Sequence, residues 1–360
     1  MIRAITVDNV DDALTQGLMH LHSAGIKNTS RNGDVMVSPS LFATCYIKPQ
    51  HRVLMNPKRD ANPFLHLFEA LWVLGGREDV GFLTMFSKRF TEFSDNGITF
   101  HAPYGHRLRK KFGFDQINLA CKHLKANPDS RRVVLQIWDA NLDLDAKSKD
   151  LPCNDLVMCT MNPARTGLDI TVCCRSNDAV WGAYGTNAVQ FSMLQEYMAG
   201  KIGVPVGVYT QLSNNFHVYE WNEYWQWFKQ NGGYQDAYHY ESKLVVPTPL
   251  YERIDDTEIT GFDIDMNRMF AIYDRHRAEM DNTTRFLHFA DDAVATLFTT
   301  KFFGCVVRPM LAALAAHKRG QPMQRDAVFM LLRGDLPQNL DWFEAARIWF
   351  HNRDMKKAAS

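Results

Sequence analysis

The 360 residues carry no surplus of charge: 40 Lys and Arg stand against 40 Asp and Glu. A field of one sign, the footprint of a nucleic-acid or membrane-surface binder, is therefore missing. The chain also lacks any apolar run near the roughly 18 residues of a membrane span. Its seven cysteines form no CxxC repeat, which argues against zinc. An odd count in a long chain argues against a disulfide framework. The opening MIRAITVDNVDDALTQ has no basic stretch followed by an apolar one, so the cytoplasm is the expected setting. Repeats and low-complexity tracts are absent as well. With 46% hydrophobic residues the chain can bury a sizeable core. Neither nucleic acid nor membrane is thus an expected partner. A phosphate-bearing small molecule needs only a few placed arginines, which neutrality permits.

Residues 8–25 have the acidic start and apolar spacing of a helix. Asn62-Pro63 opens a second one, FLHLFEALWVL, closed by Gly75-Gly76. Glu69 sits in its middle. An unpaired carboxylate on a buried helix is costly, so Glu69 is expected to be partnered or functional. Residues 115–126 read as an amphipathic helix, and the VVLQIW that follows PDSRR as a buried strand. Further strands are expected over 155–162 and 168–174, a helix over 187–200 ending at Gly200, and one strand along GVYTQLSNNFHVY. From about 256 onward helical patterns dominate: NRMFAIYDRHRAEM, RPMLAALAAHK, LDWFEAARIWF. The expected organisation is a mixed α/β catalytic domain over 1–255 and a helical extension over 256–360.

Several residues are candidates for chemistry. Cys153 follows a proline in LPCN, at the mouth of a strand. Arg175-Ser176-Asn177-Asp178 brings guanidinium, hydroxyl, amide and carboxylate together, a set suited to a phosphate plus a hydrogen-bonding ring. Arg131 and Arg132 stand before the VVLQIW strand. His217 and Tyr219, at a spacing of two on a strand, point to one face. Taken singly, each has an ordinary structural explanation: a small core residue, a polar turn, a solvated charge pair. Their order and spacing are less ordinary.

In that order the sequence resembles the thymidylate synthase and pyrimidine hydroxymethylase family. FEALW resembles the family's glutamate-bearing helix, HAPYGHRLR its YGxxWR segment, and DQI with NPDSRRVVLQIWD its DQI…NDPDSRR-strand-W block. LPCN matches the nucleophile motif, CRSNDAVWGAYGTN the R-S-x-D…G…N loop, and NNFHVY the D-x-H-x-Y strand. The fold implied is a large mixed sheet packed with helices. The resemblance implies that Cys153 attacks carbon 6 of a pyrimidine, with Arg175 lowering the thiol pKa. Arg175 and Ser176 would hold the 5′-phosphate, and Arg31 in SRNGDV would add an N-terminal phosphate contact. Arg131 and Arg132 would reach that phosphate from the partner subunit of a homodimer with shared sites. Asp178 would fix the base through the loop backbone and border the folate site with Trp181 and Gly182. His217 and Tyr219 would bind the sugar 3′-hydroxyl, and Glu69 would organise water and relay protons. The implied one-carbon donor is 5,10-methylenetetrahydrofolate, and the substrate a pyrimidine deoxynucleoside monophosphate.

Uracil presents an acceptor at carbon 4 and a donor at nitrogen 3; cytosine reverses both. An asparagine amide serves the first pattern and an aspartate the second. The discriminating position falls on Asn187 if GAYGTN carries one extra residue, and on Thr186 otherwise; Asn187, and hence dUMP, is the expected reading. Three departures bear on the reaction: Leu108 replaces the tryptophan of YGxxWR beside the folate, Asn154 the histidine after the nucleophile, and Cys174 the glutamine before the phosphate arginine. The chain also ends in KKAAS rather than in a short apolar tail that closes the site. A looser, wetter site favours hydroxymethylation of dUMP, the kind of reaction that supplies modified pyrimidines for phage DNA. Thymidylate synthesis and dCMP hydroxymethylation stay open. The competing classes are an inactive nucleotide- or RNA-binding homologue and a cysteine hydrolase. Intact Cys153, Glu69, Arg175 and Tyr219 argue against the first, and the lack of a motif-supported histidine base against the second.

Overall fold

The computed structural model describes residues 2–231, 245–331 and 340–359. The chain divides into two compact units that alternate along the sequence. Residues 1–61, 108–146 and 152–244 make the first; 62–107, 147–151 and 245–360 make the second.

The described residues of the first unit hold ten strands: β1 (Arg3–Val7), β2 (Ile26–Ser30), β3 (Gly33–Val37), β4 (Phe42–Tyr46), β5 (Val133–Gln136), β6 (Asn154–Met161), β7 (Leu168–Cys174), β8 (Asn177–Asp178), β9 (Val206–Ser213) and β10 (Phe216–Tyr219). Six form a mixed sheet in the order β1-β4-β9-β7-β6-β5, as expected from the sequence, and β2-β3-β10-β8 form a smaller one. In β7 the period of two is plain: Leu168, Ile170, Val172 and Cys174 are buried and the residues between them are not. The buried face packs on the helix Asn187–Ile202, whose residues are buried on every side except at Lys201. This helix runs past the Gly200 expected to end it. Gly203, at φ 92, takes the left-handed conformation that terminates it instead. Its Gln195 amide donates to the carbonyls of Leu168 (2.8 Å) and Val208 (3.1 Å), beside a register shift between β7 and β9. Its Glu196 forms a buried ion pair with Arg52.

The opposite face of the large sheet is different. Thr6, Cys45, Thr210, Thr171, Met158 and Val134 lie in one register row across all six strands. Met158 is 39% exposed and Val134 52%.

Residues 207–219, expected as one strand, are two strands in two sheets. β7 and β9 run parallel in the large sheet, and their continuations β8 and β10 run parallel in the small one. The break is stitched by Asn214 N–H to the Cys174 carbonyl and Asn177 N–H to the Asn215 carbonyl, both 2.8 Å. The paired strands thus leave one sheet together and enter the other, and the turn residues Arg175-Ser176 sit at the fork.

The second unit begins with the helix Pro63–Leu74, in which every residue but Leu65 is buried. The Asn62 side chain caps it, accepting from Leu65 N–H at 3.1 Å, with Pro63 in the first turn. Gly75 and Gly76 (φ 65) end it. A helix buried on nearly every side needs cover all round. Phe64 meets Trp349 and Phe350 at ring-centroid distances of 5.4 and 5.3 Å. At Gly75 a Cβ would stand 2.5 Å from the Phe270 ring. Arg77 bonds Asp79 and Asp274. The compact units therefore cut across the boundary read at 255, because residues 62–107 share a core with the C-terminal helices. Among the described residues no helix is long and apolar enough to cross a membrane.

Candidate active site

β6 starts one residue after Cys153. Its pairing with β7 slips between Asn154 and Leu156, leaving Asp155 as an extra residue. The Asp155 carbonyl accepts from both Ile137 and Trp138 N–H at 2.9 Å. Such a bulge re-aims its neighbours: Asn154 has no exposed surface, while Cys153 is half-buried. Arg175 is tied to the same turn twice, by its N–H to the Cys153 carbonyl (3.0 Å) and by Nε to the Pro152 carbonyl (2.7 Å). Its guanidinium also lies 5.7 Å from the centre of the Trp138 ring. Cys153, Arg175 and Ser176 are thereby brought to one place. Asp155 was missed in the sequence; burial lifts its pKa to about 6 against the pull of Arg175.

Beyond the fork, Asp178 organises the loop before the buried helix. Its Oδ1 accepts from the N–H groups of Val180 (2.8 Å) and Trp181 (2.6 Å). Oδ2 is buried with no hydrogen-bond partner among the described residues. Burial raises this carboxyl pKa, opposed by His217 and Arg59. Arg59, a lone arginine in KRDANP with no motif to flag it, donates to the Val180 carbonyl at 3.1 and 2.9 Å and lies 4.7 Å from the Trp181 ring centre. His217 pairs in register with Asp178, and its Nδ1 donates to Asn215 Oδ1 at 2.9 Å. The His217 ring stands edge-on to Tyr219 with centroids 5.1 Å apart, so the two share a face. Tyr219 stacks on Trp221 and accepts from Asn32 Nδ2 at 3.3 Å. That contact fastens the β2–β3 turn, where Arg31 stands exposed, to the end of β10.

Asn187, 5% exposed, enters a chain of buried amides. Its Nδ2 donates to Asn177 Oδ1 and its Oδ1 accepts from Asn154 Nδ2, each at 3.1 Å. Asn154 Oδ1 accepts from the Cys174 thiol at 2.9 Å. Burial pushes the Cys174 pKa well up, so the thiol keeps its proton. On the other side, Asn177 Nδ2 donates to Gln211 Oε1 (3.0 Å) and Ser213 Oγ (2.9 Å). Gln211 Nε2 then donates to the Ala183 carbonyl (3.4 Å) and Tyr209 Oη (2.9 Å). A Cβ at Gly182 would come within 3.0 Å of Asn177 Oδ1 and 3.3 Å of Asn187 Nδ2, so a side chain there would crowd the pair. Thr186 takes no part in the chain. In the sequence, Asn154 and Cys174 stood out only as separate departures from a motif, and Gln211 carried no signal.

Four predicted positions remain: Leu108, Arg131, Arg132 and Glu69. Leu108 is fully buried rather than open to a ligand. Arg131 and Arg132 are exposed ahead of β5. Since Val133 pairs with Cys159, Arg132 enters beside Thr160, about 20 Å along β6 from Asn154 at the usual rise per residue. They do not join the cluster of their own chain. Glu69 is buried in mid-helix in the second unit, 8% exposed.

The thymidylate synthase family model matches residues 24–265, more than half of the chain. The chain belongs to the thymidylate synthase family. The deoxyuridylate hydroxymethyltransferase of Pseudomonas phage M6 is 48% identical over 220 residues, 61% of this chain and 62% of that protein. The deoxyuridylate hydroxymethyltransferase of Bacillus phage SP01 is 40% identical over 182 residues, 48% of this chain and 47% of its own. A putative thymidylate synthase of Methanothermobacter marburgensis is 34% identical over 175 residues, 47% of this chain and 75% of that protein. The chain thus spans less than two thirds of either phage relative. The stretch matched by the thymidylate synthase family contains the whole cluster, from Arg31 to Tyr219.

Proposed function

We propose that this chain transfers a one-carbon unit to carbon 5 of dUMP and releases 5-hydroxymethyl-dUMP. The observation that carries the reading is Cys153 on a bulged turn that also anchors Arg175, next to the Asn187 amide at the fork of the two sheets. As a thiolate, Cys153 adds to carbon 6 of the ring, and the displaced electron pair makes carbon 5 nucleophilic. Loss of the carbon 5 proton and expulsion of the thiolate restore the ring double bond. Arg175, Ser176 and Arg31 bind the 5′-phosphate, while His217 and Tyr219 hold the sugar hydroxyl. Glu69 orders water and moves protons.

When bound, 5,10-methylenetetrahydrofolate supplies the one-carbon unit. The residues present fit such a group. Trp181 offers an aromatic ring, 44% exposed, and the buried Asp178 Oδ2 is an acceptor without a donor, suited to a ring N–H. Gly182, next to Trp181, adds no side chain against Asn177 and Asn187.

Hydroxymethylation, with water completing the transfer, is supported by the phage relatives, which are more similar than the putative thymidylate synthase. A homodimer with shared sites is supported by two observations. One face of the large sheet carries half-exposed apolar side chains, and Arg131 and Arg132 sit too far along β6 to serve their own Cys153.

The test is a product analysis by mass spectrometry after incubation with methylenetetrahydrofolate and either dUMP or dCMP. Hydroxymethyl-dUMP with tetrahydrofolate is expected. Thymidylate with dihydrofolate would overturn the hydroxymethyl reading, and a preference for dCMP would overturn the base assignment.

A further inference from the structure

Asn187 can present its amide to a base in two ways, differing by a half-turn of the side chain, and only one suits uracil. We propose that the buried chain Gln211–Asn177–Asn187–Asn154–Cys174 is a positioning relay that fixes which end of the Asn187 amide donates, and so makes the site read uracil rather than cytosine. The inference rests on the reading of Asn187 as the base-facing residue and adds what holds it.

Direction in the chain is set from both ends. The Ala183 carbonyl can only accept, so Gln211 must turn Nε2 towards it and leave Oε1 towards Asn177. Asn177 then donates to Gln211, and its Oδ1 is left to accept from Asn187 Nδ2. Asn187 Oδ1 in turn accepts from Asn154 Nδ2, leaving Asn154 Oδ1 for the only hydrogen that Cys174 has to give. Each link agrees with the next, and reversing any one opposes two carbonyl oxygens or two amino groups in a buried site.

An amide has two N–H groups and two lone pairs. In Asn187 one of each is consumed by Asn177 and Asn154, so one N–H and one lone pair remain. With Nδ2 opposite carbon 4 and Oδ1 opposite nitrogen 3, that remainder matches the carbon 4 oxygen and nitrogen 3 hydrogen of uracil; cytosine placed the same way meets it donor to donor and acceptor to acceptor. Two residues that depart from the family motifs, Asn154 after the nucleophile and Cys174 before Arg175, bond each other at 2.9 Å. They form one substitution in space, which ends the relay on a neutral thiol.

The experiment compares equilibrium binding and kcat/KM for dUMP and dCMP in the full-length protein and four variants. Asn154→Asp removes the donor to Asn187 Oδ1. Its dUMP-to-dCMP preference is expected to fall at least about tenfold, the scale of one buried hydrogen bond lost, through KM and Kd more than kcat. Asn154→His keeps a donor and should keep the preference. Gln211→Met releases the opposite anchor, and should lower the preference by a route that adds no charge should Asn154→Asp fail to fold. Asn187→Asp should shift preference towards dCMP. An unchanged ratio in Asn154→Asp and Gln211→Met, alongside a shift in Asn187→Asp, would overturn the relay alone. An unchanged ratio in Asn187→Asp would instead overturn the assignment of Asn187 to the base, and the relay with it.

Discussion

If Arg131 and Arg132 serve the partner's site, two crippled chains should repair each other. The geometry within one chain sets the expectation. Arg132 stands beside Thr160, while Cys153 precedes Asn154 at the other end of β6. Six residues at the usual rise give about 20 Å, beyond the reach of one arginine side chain. Cys153→Ala should abolish turnover while dUMP binding stays measurable. An Arg131→Ala, Arg132→Ala double variant should raise the dUMP KM strongly with Cys153 intact. Mixing the two after subunit exchange makes half of the dimers heterodimeric, each with one complete site and one doubly damaged. The mixture should therefore recover about a quarter of wild-type activity at random reassortment. The assay is the rate of methylenetetrahydrofolate-dependent dUMP turnover against time of mixing, with unmixed parents as controls. Activity no greater than the parental mean, after light scattering or mass spectrometry has shown exchange, would refute the shared site. A monomer in solution would refute it sooner.

Two further outcomes follow from buried charges. Glu196→Ala leaves Arg52, 3% exposed, without its counter-ion, and should cost about 3–5 kcal/mol in chemical denaturation; replacing both partners with apolar residues of similar volume should recover most of that loss. Desolvation raises the half-buried Asp11 carboxyl, which accepts from Met55 and Asn56 N–H, to about 7. Between pH 4 and 7 the folded state therefore holds a proton that the unfolded chain has released, and stability should fall as pH rises through that window. Asp11→Asn should flatten this part of the stability profile; parallel profiles would sink the assignment.

Local signals carried much of the fold. Asn62-Pro63 and Gly75-Gly76 bracket their helix because capping and helix termination are decided within a few residues. The β7 alternation was legible for the same reason. What escaped were features decided by distant partners. Gly200 stays helical because the helix around it is enclosed by the sheet, and GVYTQLSNNFHVY divides because two strands change sheet together at Asn214-Asn215. In the site, residues with motif support lie along the fork, from Cys153 and Arg175 to His217 and Tyr219. Arg59, Asp155 and Gln211 did not show, since each matters through a contact made by a segment remote in sequence. Asn154 and Cys174 were visible as oddities, but their adjacency is a property of the β6–β7 pairing.

The interleaving of the two units has a consequence for how the protein is made. The helix carrying Glu69 leaves the ribosome early, yet the aromatic rings that cover Phe64 come from Trp349 and Phe350, almost a whole chain later. Until then a strongly apolar helix has no lasting cover, and it must wait, exposed to aggregation or held by a chaperone. Cutting the chain near residue 255 would make that wait permanent. The C-terminal helices are thus the second half of a core whose first half contains Glu69, and a truncation meant to isolate the catalytic part should yield an insoluble product.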